Sequence, residues 1–207
     1  MTQKTFFTRE AVVEAAFTLT REEGWPAVTA RSIARRLGSS TMPIYSSMKS
    51  MEDIEAEVRG RAEATLLEYQ GRDYGGETSL NMAVGYVAFA RDERNLFRFL
   101  YIDRPLHGQD AAAGRSVTTV EQFISGARPV ALADQVPTAM GDPRILKSWI
   151  FTHGLASLVS GGVLELANER IRSLLEEAGA AFFSQTPTAR AAAASAAGRA
   201  RNKKKEK

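Results

Sequence analysis

The chain has 207 residues, 44% of them hydrophobic and none of them cysteine, so disulfides and thiolate metal sites are excluded. No apolar run approaches the roughly 20 residues that a membrane-spanning helix needs, and we expect a folded cytoplasmic protein with no membrane partner. The net charge of +3 conceals an imbalance, because residues 188–207 contain seven Lys or Arg and one Glu, a net of +6, which leaves −3 for residues 1–187.

The first predicted helix begins after Thr8 and ends before Gly24. The Thr8 hydroxyl can cap its first turn, and Phe7 and Val12 have the spacing of a hydrophobic staple around that cap. Thr29 starts a second helix in the same way. The first helix is therefore predicted to precede the most informative stretch of the chain, and the second helix runs into that stretch.

That stretch is SIARRLGSSTMPIY, residues 32–45, which has the spacing of a helix-turn-helix. The small Ala34 lets two helices approach, Gly38 takes the backbone conformation of the turn, and Ile44 fills the angle between the helices. Residues 24–50 contain four basic residues and no acidic one: Arg31, Arg35, Arg36 and Lys49. This charge pattern favours DNA binding over the alternative, an ordinary helical hairpin with a glycine at its bend.

The third helix is predicted to begin with Ser40 as its cap, and Pro43 suits its first turn because a missing N–H costs little there. Ser50 and Asp53 form a capping-box pattern for a longer fourth helix. The apolar residues that mark this helix are Ile54, Val58, Leu66 and Tyr69.

Residues 79–186 keep a helical period and show no convincing alternating strand. Helices are predicted around residues 80–89, 96–101 and 117–124, and two strong ones over 142–160 and 164–184. Residues 128–141 fit no clear pattern. The predicted fold class is all-α, a three-helix helix-turn-helix head followed by a larger helical-bundle body, with about nine helices in all.

The head and body together resemble the TetR/AcrR family of bacterial transcriptional regulators. The resemblance covers residues 8–58, where Tyr45 stands in the place of the tyrosine that closes the family's recognition helix. A second likeness lies at SWIFTHGLASL, where Trp149, His153 and Gly154 resemble the Trp-His-Gly signature of one large group of family C-terminal domains.

The resemblance implies a DNA-binding surface on the third helix and its surroundings. The residues implied to face bases are Thr41, Met42, Pro43 and Ser46, and Arg31 reaches in from the second helix. Ser40, at the start of the third helix, is a further DNA-binding candidate. The residues better suited to phosphates are Thr29, Tyr45, Ser47 and Lys49. The chain departs from the family by having Ser47 and Met48 in place of an aromatic or His-Phe pair, and Met51 in place of a lysine, which removes two expected phosphate contacts.

The resemblance also implies an effector cavity and a dimer interface in the body. The candidate cavity residues are Phe89, Phe97, Tyr101, Phe123, Trp149 and His153. These side chains equally suit an ordinary core, and a histidine on an apolar helix is more often a core residue than a ligand-binding one. The family pairs its last two helices with their copies, and the apolar candidates for that contact are Leu155, Leu158, Leu166, Ile171, Leu174 and Phe182.

Three segments are expected: a helix-turn-helix DNA-binding domain over residues 1–50, an effector-binding and dimerisation domain over 51–186, and a disordered basic tail over 187–207. The tail has almost no large apolar residue. It is interpreted either as a solvated end or as a non-specific aid to DNA binding.

The favoured function is a homodimeric repressor that binds a palindromic DNA operator and is released by a small apolar effector. The alternative is a DNA-binding regulator controlled by a protein partner or by no ligand. A helical-bundle enzyme is the least favoured, because the sequence has no convergent nucleophile and base and only two distant histidines. No catalytic residue, metal or cofactor is predicted.

Overall fold

The computed structural model describes residues 7–103 and 143–183, which form eight α-helices and a short 3-10 turn and contain no strand. The predicted all-α class is therefore confirmed. The predicted helix around residues 117–124, the stretch 128–141, the cavity candidate Phe123 and the basic tail lie outside the described residues.

The helices of the described residues are short in the head and longer in the body. In chain order they are α1 (Arg9–Glu23), α2 (Ala30–Arg36), α3 (Met42–Ser47), α4 (Met51–Gln70), α5 (Thr78–Asp92), α6 (Arg94–Tyr101), α7 (Pro143–Ser160) and α8 (Asn168–Phe183). The 3-10 turn, Trp25–Ala27, separates α1 from α2.

Two of the predicted helix starts are observed as expected. The Thr8 hydroxyl accepts a hydrogen bond from the backbone N–H of Ala11 at 3.2 Å. Thr29 and Ser32 form a reciprocal capping box, in which each side chain accepts from the backbone N–H of the other. These local bonds satisfy backbone donors that the first turn of a helix leaves unpaired.

The starts of α3 and α4 differ in detail from the prediction. Thr41, not Ser40, occupies the N-cap of α3, and no side chain caps that helix. Before α4, Ser50 accepts from the N–H of Asp53 as expected, but the Asp53 carboxylate accepts from the N–H of Lys49 at 3.2 Å. In a capping box the Asp53 side chain would accept from the N–H of Ser50. Here it accepts from the N–H of Lys49, one residue earlier.

The last helix begins at Asn168 and not at residue 164. The Arg91 guanidinium donates to the carbonyl of Leu166 at 3.0 Å and to the Asn168 side-chain oxygen at 2.9 Å. Leu164 and Leu166 pack against the core from this non-helical segment. A tertiary contact from α5 therefore holds these apolar residues outside a helix, although their spacing favours one.

Helix α4 lies at the centre of the packing. Its residues Ile54, Val58, Ala62 and Leu66 are fully buried. Helices α1, α5 and α6 all pack on α4, and one continuous apolar core joins the head to the body. The predicted boundary after residue 50 falls where α4 begins, and the buried side chains cross it without a break.

Helices α4 and α5 approach each other closely at Gly85. A Cβ atom on Gly85 would lie 2.4 Å from the backbone oxygen of Tyr69 and 2.7 Å from the Cα atom of Gln70. These neighbours are backbone atoms of α4, so they have no flexible side chain to move aside. The contact therefore requires glycine for space.

We expect Gly85→Ala to lower the free energy of unfolding by about 1–3 kcal/mol, because the added methyl group must push two helices apart. Gly60→Ala is the matched control, since it also lies inside a helix and its Cβ would meet nothing within 4 Å. That change should raise stability by about 0.5–1 kcal/mol through helix propensity. Urea unfolding followed by circular dichroism measures both, and equal effects would contradict the close approach.

Candidate functional site

The turn between α2 and α3 has the geometry of a helix-turn-helix. Gly38 has φ +64°, and the N–H groups of Gly38 and Ser39 donate to the carbonyls of Arg35 and Ala34. This Schellman pattern closes α2 and reverses the chain. A Cβ on Gly38 would meet no atom within 4 Å, so glycine is needed for its backbone angle and not for space. Ile44 is fully buried beneath the turn, as the spacing predicted.

Helix α3 separates into a buried and an exposed side. Ile44 is 0% and Met48 is 2% exposed, whereas Met42 is 75% and Tyr45 is 53% exposed. Ser46 is also exposed, and its hydroxyl donates to the carbonyl of Met42 at 3.3 Å. Burial of Met48 anchors the end of α3, so this departure from the family pattern has a structural role.

The other predicted DNA contacts surround this exposed side. Thr29, Arg31, Ser40 and Lys49 are exposed. The partly buried members of the set are Thr41, Pro43 and Ser47. The Ser47 hydroxyl donates to the carbonyl of Ile44 at 3.1 Å, which fixes its orientation.

The basic residues of the head are not equivalent. Arg36 makes a two-point contact with the Glu22 carboxylate at 2.7 and 3.0 Å, and this pair lowers the pKa of Glu22. Arg31 and Arg35 are exposed, and neither has an ion-pair partner among residues 7–103 and 143–183. Arg31 and Arg35 are therefore available to phosphates or bases, whereas Arg36 is engaged with α1.

The head is joined to α4 by ion pairs along α1. Arg61 contacts both Glu10 and Glu14, and Arg9 pairs with Glu57 at 2.5 Å. Surface pairs of this kind contribute little stability individually, but they orient the two helices that enclose Ile54 and its buried neighbours.

A second connection runs from the head to α6. The Arg21 guanidinium pairs with Glu93, whose side chain is only 6% exposed, with Nε to Oε2 at 2.7 Å. The Asn95 amide donates to the carbonyls of Arg21 and Glu22 at 3.0 and 3.1 Å and so satisfies the last turn of α1. Trp25 packs on Phe99 at 4.9 Å between ring centroids. The position of α6 therefore constrains the position of the head.

Four of the six predicted cavity residues lie together with one that sequence reasoning missed. They form what we term the aromatic cluster: Tyr86, Phe97, Tyr101, Trp149 and His153. His153 is its centre, with ring centroids 5.3 Å from Trp149, 5.9 Å from Phe97 and about 6 Å from the two tyrosines. The cluster connects α5, α6 and α7.

Tyr86 is the member that the sequence analysis did not select. Its hydroxyl lies 2.9 Å from Nδ1 of His153, and burial raises the pKa of Tyr86. The signal available in the sequence was that Tyr86 is the one hydroxyl-bearing side chain within the apolar run 82–90 of α5.

Phe89 belongs to a different part of the core. It is fully buried and packs edge-on against Tyr69 of α4, with ring centroids at 5.7 Å. Its ring fills the α4–α5 contact apart from the aromatic cluster, and its assignment as a cavity residue stays a prediction.

The predicted dimer residues divide into buried and exposed ones. Leu155 and Ile171 are buried in the chain's own core, and Leu166 and Leu174 pack partly against it. Leu155 and Ile171 therefore offer little surface in the single chain, and their assignment to a dimer interface stays a prediction. Leu158 is 45% exposed, and Phe182 is partly exposed and contacts Phe151 at 6.3 Å between ring centroids.

A groove of about 290 Å³ lies between α5, α7 and α8. Leu80, Phe151 and Phe183 form apolar parts of its lining, and Thr152 and Leu175 are buried residues along it. None of the predicted cavity residues lines this groove, so it is distinct from the aromatic cluster.

Among the described residues, no group of three or more His, Asp or Glu side chains is arranged to hold a metal ion. None of the helices in residues 7–103 and 143–183 is long and apolar enough to cross a bilayer.

Partial burial lowers the pKa of His153 below its ordinary value. Between that ordinary value, about 6.5, and the lowered one, the unfolded chain binds a proton that the folded chain does not, so the free energy of unfolding falls as the pH drops. We expect His153→Gln to remove this component of the pH dependence. Urea unfolding of both proteins from about pH 7.5 to about pH 5 measures it. Parallel pH profiles would contradict the buried, neutral imidazole.

Comparison with known proteins agrees with this geometry. Residues 80–182 match the family described as the Tetracyclin repressor-like C-terminal domain. An uncharacterized HTH-type transcriptional regulator of Mycobacterium tuberculosis is 29% identical over 106 residues, covering 49% of this chain and 48% of that protein. The chain thus spans about half the length of this curated relative. From the helix-turn-helix head, the all-helical body and these similarities, the chain belongs to the TetR family of transcriptional regulators.

Proposed function

We propose that the chain is a DNA-binding repressor that acts as a homodimer, each head placing α3 in a major groove of a roughly palindromic operator. The observation that carries this proposal is the surface of α3. Met42 and Tyr45 are its most exposed large side chains, and they lie in a segment with no acidic residue. Neither side chain is needed to fill the chain's own core.

The exposed side chains suit two kinds of contact. Met42 can rest against a thymine methyl group, and Arg31 can bind a guanine through two hydrogen bonds. Tyr45 and Lys49 suit phosphates, which fix the protein's position without reading sequence. Anchoring of α3 by Ile44 and Met48 supports this division, because a fixed helix presents the same side chains to every site.

The proposed dimer forms through α7 and α8. The large apolar side chains exposed there are Ile150, Phe151, Leu158 and Phe183. Cβ atoms on Gly154 and Gly179 would meet nothing within 4 Å, so both glycines leave room for a partner helix. A concentrated apolar surface of this kind is typical of a protein interface, and a two-fold dimer would present two heads to one operator.

A small apolar effector is proposed to bind beside the aromatic cluster. Helix α6 contributes Phe97 and Tyr101 to the cluster, and the same segment contributes Glu93 and Asn95 to the head contact. An effector that prefers another position of α6 would shift the heads away from the spacing of the operator and release DNA. The alternative is a regulator controlled by a protein partner or by no ligand.

Two experiments test these proposals. Sequencing of random duplex fragments retained by the pure protein should yield a palindromic site, and random sequence in the retained pool would contradict sequence-specific regulation. A thermal-shift screen with apolar compounds should then raise the melting temperature if an effector site exists. A compound that raises the melting temperature and weakens operator binding supports the repressor mechanism over its alternative.

Met42→Ala should weaken binding to the selected operator by about 1–3 kcal/mol and change binding to random DNA little, because it removes a base contact. Tyr45→Phe is the matched comparison on the same helix, and it removes one hydroxyl while keeping the ring. It should weaken binding to both DNAs by the same factor, because a phosphate contact carries no sequence information. Fluorescence anisotropy with both duplexes measures the four affinities. A uniform loss for Met42→Ala, or an unchanged affinity for Tyr45→Phe, would contradict the assigned contact.

Deleting residues 188–207 removes a net charge of +6 and no large apolar side chain. If the tail contacts DNA, the shortened chain should bind random duplex more weakly at low salt. Its plot of log affinity against log salt should also flatten, since fewer counterions are released. Operator preference should not change. An identical salt slope with and without the tail would show that the tail is only a solvated end.

A further inference from the structure

The groove between α5, α7 and α8 combines an apolar lining with one buried hydroxyl that has no hydrogen-bond partner in the described part of the chain. We propose that this groove is a second small-molecule site, separate from the aromatic cluster, and that it binds a compact neutral molecule with an apolar body and one hydroxyl group. The Ser148 side chain makes the hydrogen bond to the ligand hydroxyl. This site goes beyond the proposed function, because it depends neither on DNA binding nor on an effector at the aromatic cluster.

Ser148 distinguishes this groove from a simple gap between helices. The residue lines the groove, and its Oγ atom is buried with no hydrogen-bond partner among the described residues. Thr152 and Ser157 lie on the same helix, and each hydroxyl donates to the carbonyl four residues earlier at 2.8 Å. Ser148 does not make the equivalent bond. A buried hydroxyl without a partner is unfavourable, so a ligand that bonds to it removes a cost that the free chain already carries.

The unpaired group selects the polar part of the ligand. A serine hydroxyl has one hydrogen to donate and lone pairs that accept. Thr152, one turn further along α7, also lines the groove, and it uses its hydroxyl hydrogen on the Ser148 carbonyl. Its lone pairs remain as acceptors. A ligand hydroxyl matches this pair of side chains because it can accept one hydrogen bond and donate another, whereas a carbonyl can only accept.

The rest of the lining selects the body of the ligand. Apolar side chains from all three helices contribute to it: Leu80, Ala83, Ile145, Phe151, Leu175 and Phe183. The volume of the groove is about 290 Å³, whereas a cavity of about 150 Å³ holds one benzene molecule. The groove therefore has room for a two-ring hydrocarbon, and transfer of that hydrocarbon from water to the apolar walls is the main source of affinity.

The charges at the edge of the groove favour a neutral ligand. Glu176 lines the groove and is exposed, and the Arg144 guanidinium lies 5.7 Å from the centre of the Phe183 ring. Charges of both signs thus lie beside the same apolar walls. An anion or a cation would meet one like charge there and would also lose its hydration, and a neutral molecule has neither cost.

Indane and indanol test the proposal, because they share one two-ring skeleton and differ by one ring hydroxyl. Calorimetric and NMR titration of the full chain should show indanol binding tighter than indane by about 2- to 13-fold, the factor that corresponds to one net hydrogen bond. Equal affinities for the two compounds, or binding of neither compound, overturn the proposal.

Ser148→Ala tests which group bonds to the ligand. The Ser148 hydroxyl has no partner to lose in the described part of the chain, so urea unfolding should show the variant to be at least as stable as the unaltered chain. It should keep its affinity for indane and lose the preference for indanol, because the ligand hydroxyl would leave water without a replacement bond. Ser157→Ala is the matched control, since Ser157 lies on the same helix but does not line the groove. A preference for indanol that survives Ser148→Ala overturns the proposal.

Gly179→Leu locates the site. Gly179 lines the groove, and a Cβ atom there would meet nothing within 4 Å, so a larger side chain can occupy the groove without pushing the helices apart. Binding of both compounds should be lost. Gly60→Leu is the control, because a Cβ atom at Gly60 also meets nothing within 4 Å and this residue lies on α4, outside the groove. Binding that persists in Gly179→Leu would place the compounds at another site, such as the aromatic cluster, and would overturn the proposal.

Sedimentation velocity distinguishes a ligand site from a pocket that a second copy of the chain fills. Phe151 and Phe183 line the groove and also belong to the proposed dimer surface. If a partner chain filled the groove, indanol would compete with it and lower the fraction of dimer. A dimer fraction that is unchanged or higher at saturating indanol supports the small-molecule site, and a lower one overturns it. Failure of the unaltered chain to bind DNA would refute the proposed regulator without altering the indanol result.

Discussion

The burial of α4 between the head and the body is the interaction on which the rest of the structure depends. Ile54, Val58, Ala62 and Leu66 form a fully buried stripe, and α1, α5 and α6 all pack around this helix. Each helix that packs on α4 removes apolar surface of α4 from water. Loss of one of these helices would therefore expose apolar side chains that the others do not cover. The head and the body therefore share one core, and α4 cannot tilt without moving both.

The segment around α6 adds a second constraint on the head. Glu93 and Asn95 bind the last turn of α1, while Phe97 contributes to the aromatic cluster from the same short segment. A buried carboxylate such as Glu93 is stable only while its partner Arg21 remains in place, because an unpaired buried charge is strongly unfavourable. The head contact and the cluster are thus only a few residues apart.

Sequence patterns were most accurate where a structure depends on neighbours along the chain. The caps at Thr8 and Thr29 and the turn at Gly38 are made by hydrogen bonds and backbone angles within five residues. The pattern failed at residue 164, where the helical spacing of leucines was overridden by hydrogen bonds from Arg91, more than seventy residues earlier in the chain. Local preference there amounts to a small energy that a distant contact exceeds.

The sequence by itself determined the all-helical class and the helix-turn-helix, because helical period, turn glycine and motif spacing are properties of consecutive residues. The family was indicated by the resemblance of its motifs. Tertiary structure decided which apolar residues are core and which are surface. Helical period identifies an apolar face but not the element that covers it, so Ile171 and Leu158 were indistinguishable until one proved buried and the other exposed. The pairing of Tyr86 with His153 joins residues 67 positions apart, and only the packing of α5 against α7 brings their polar atoms together.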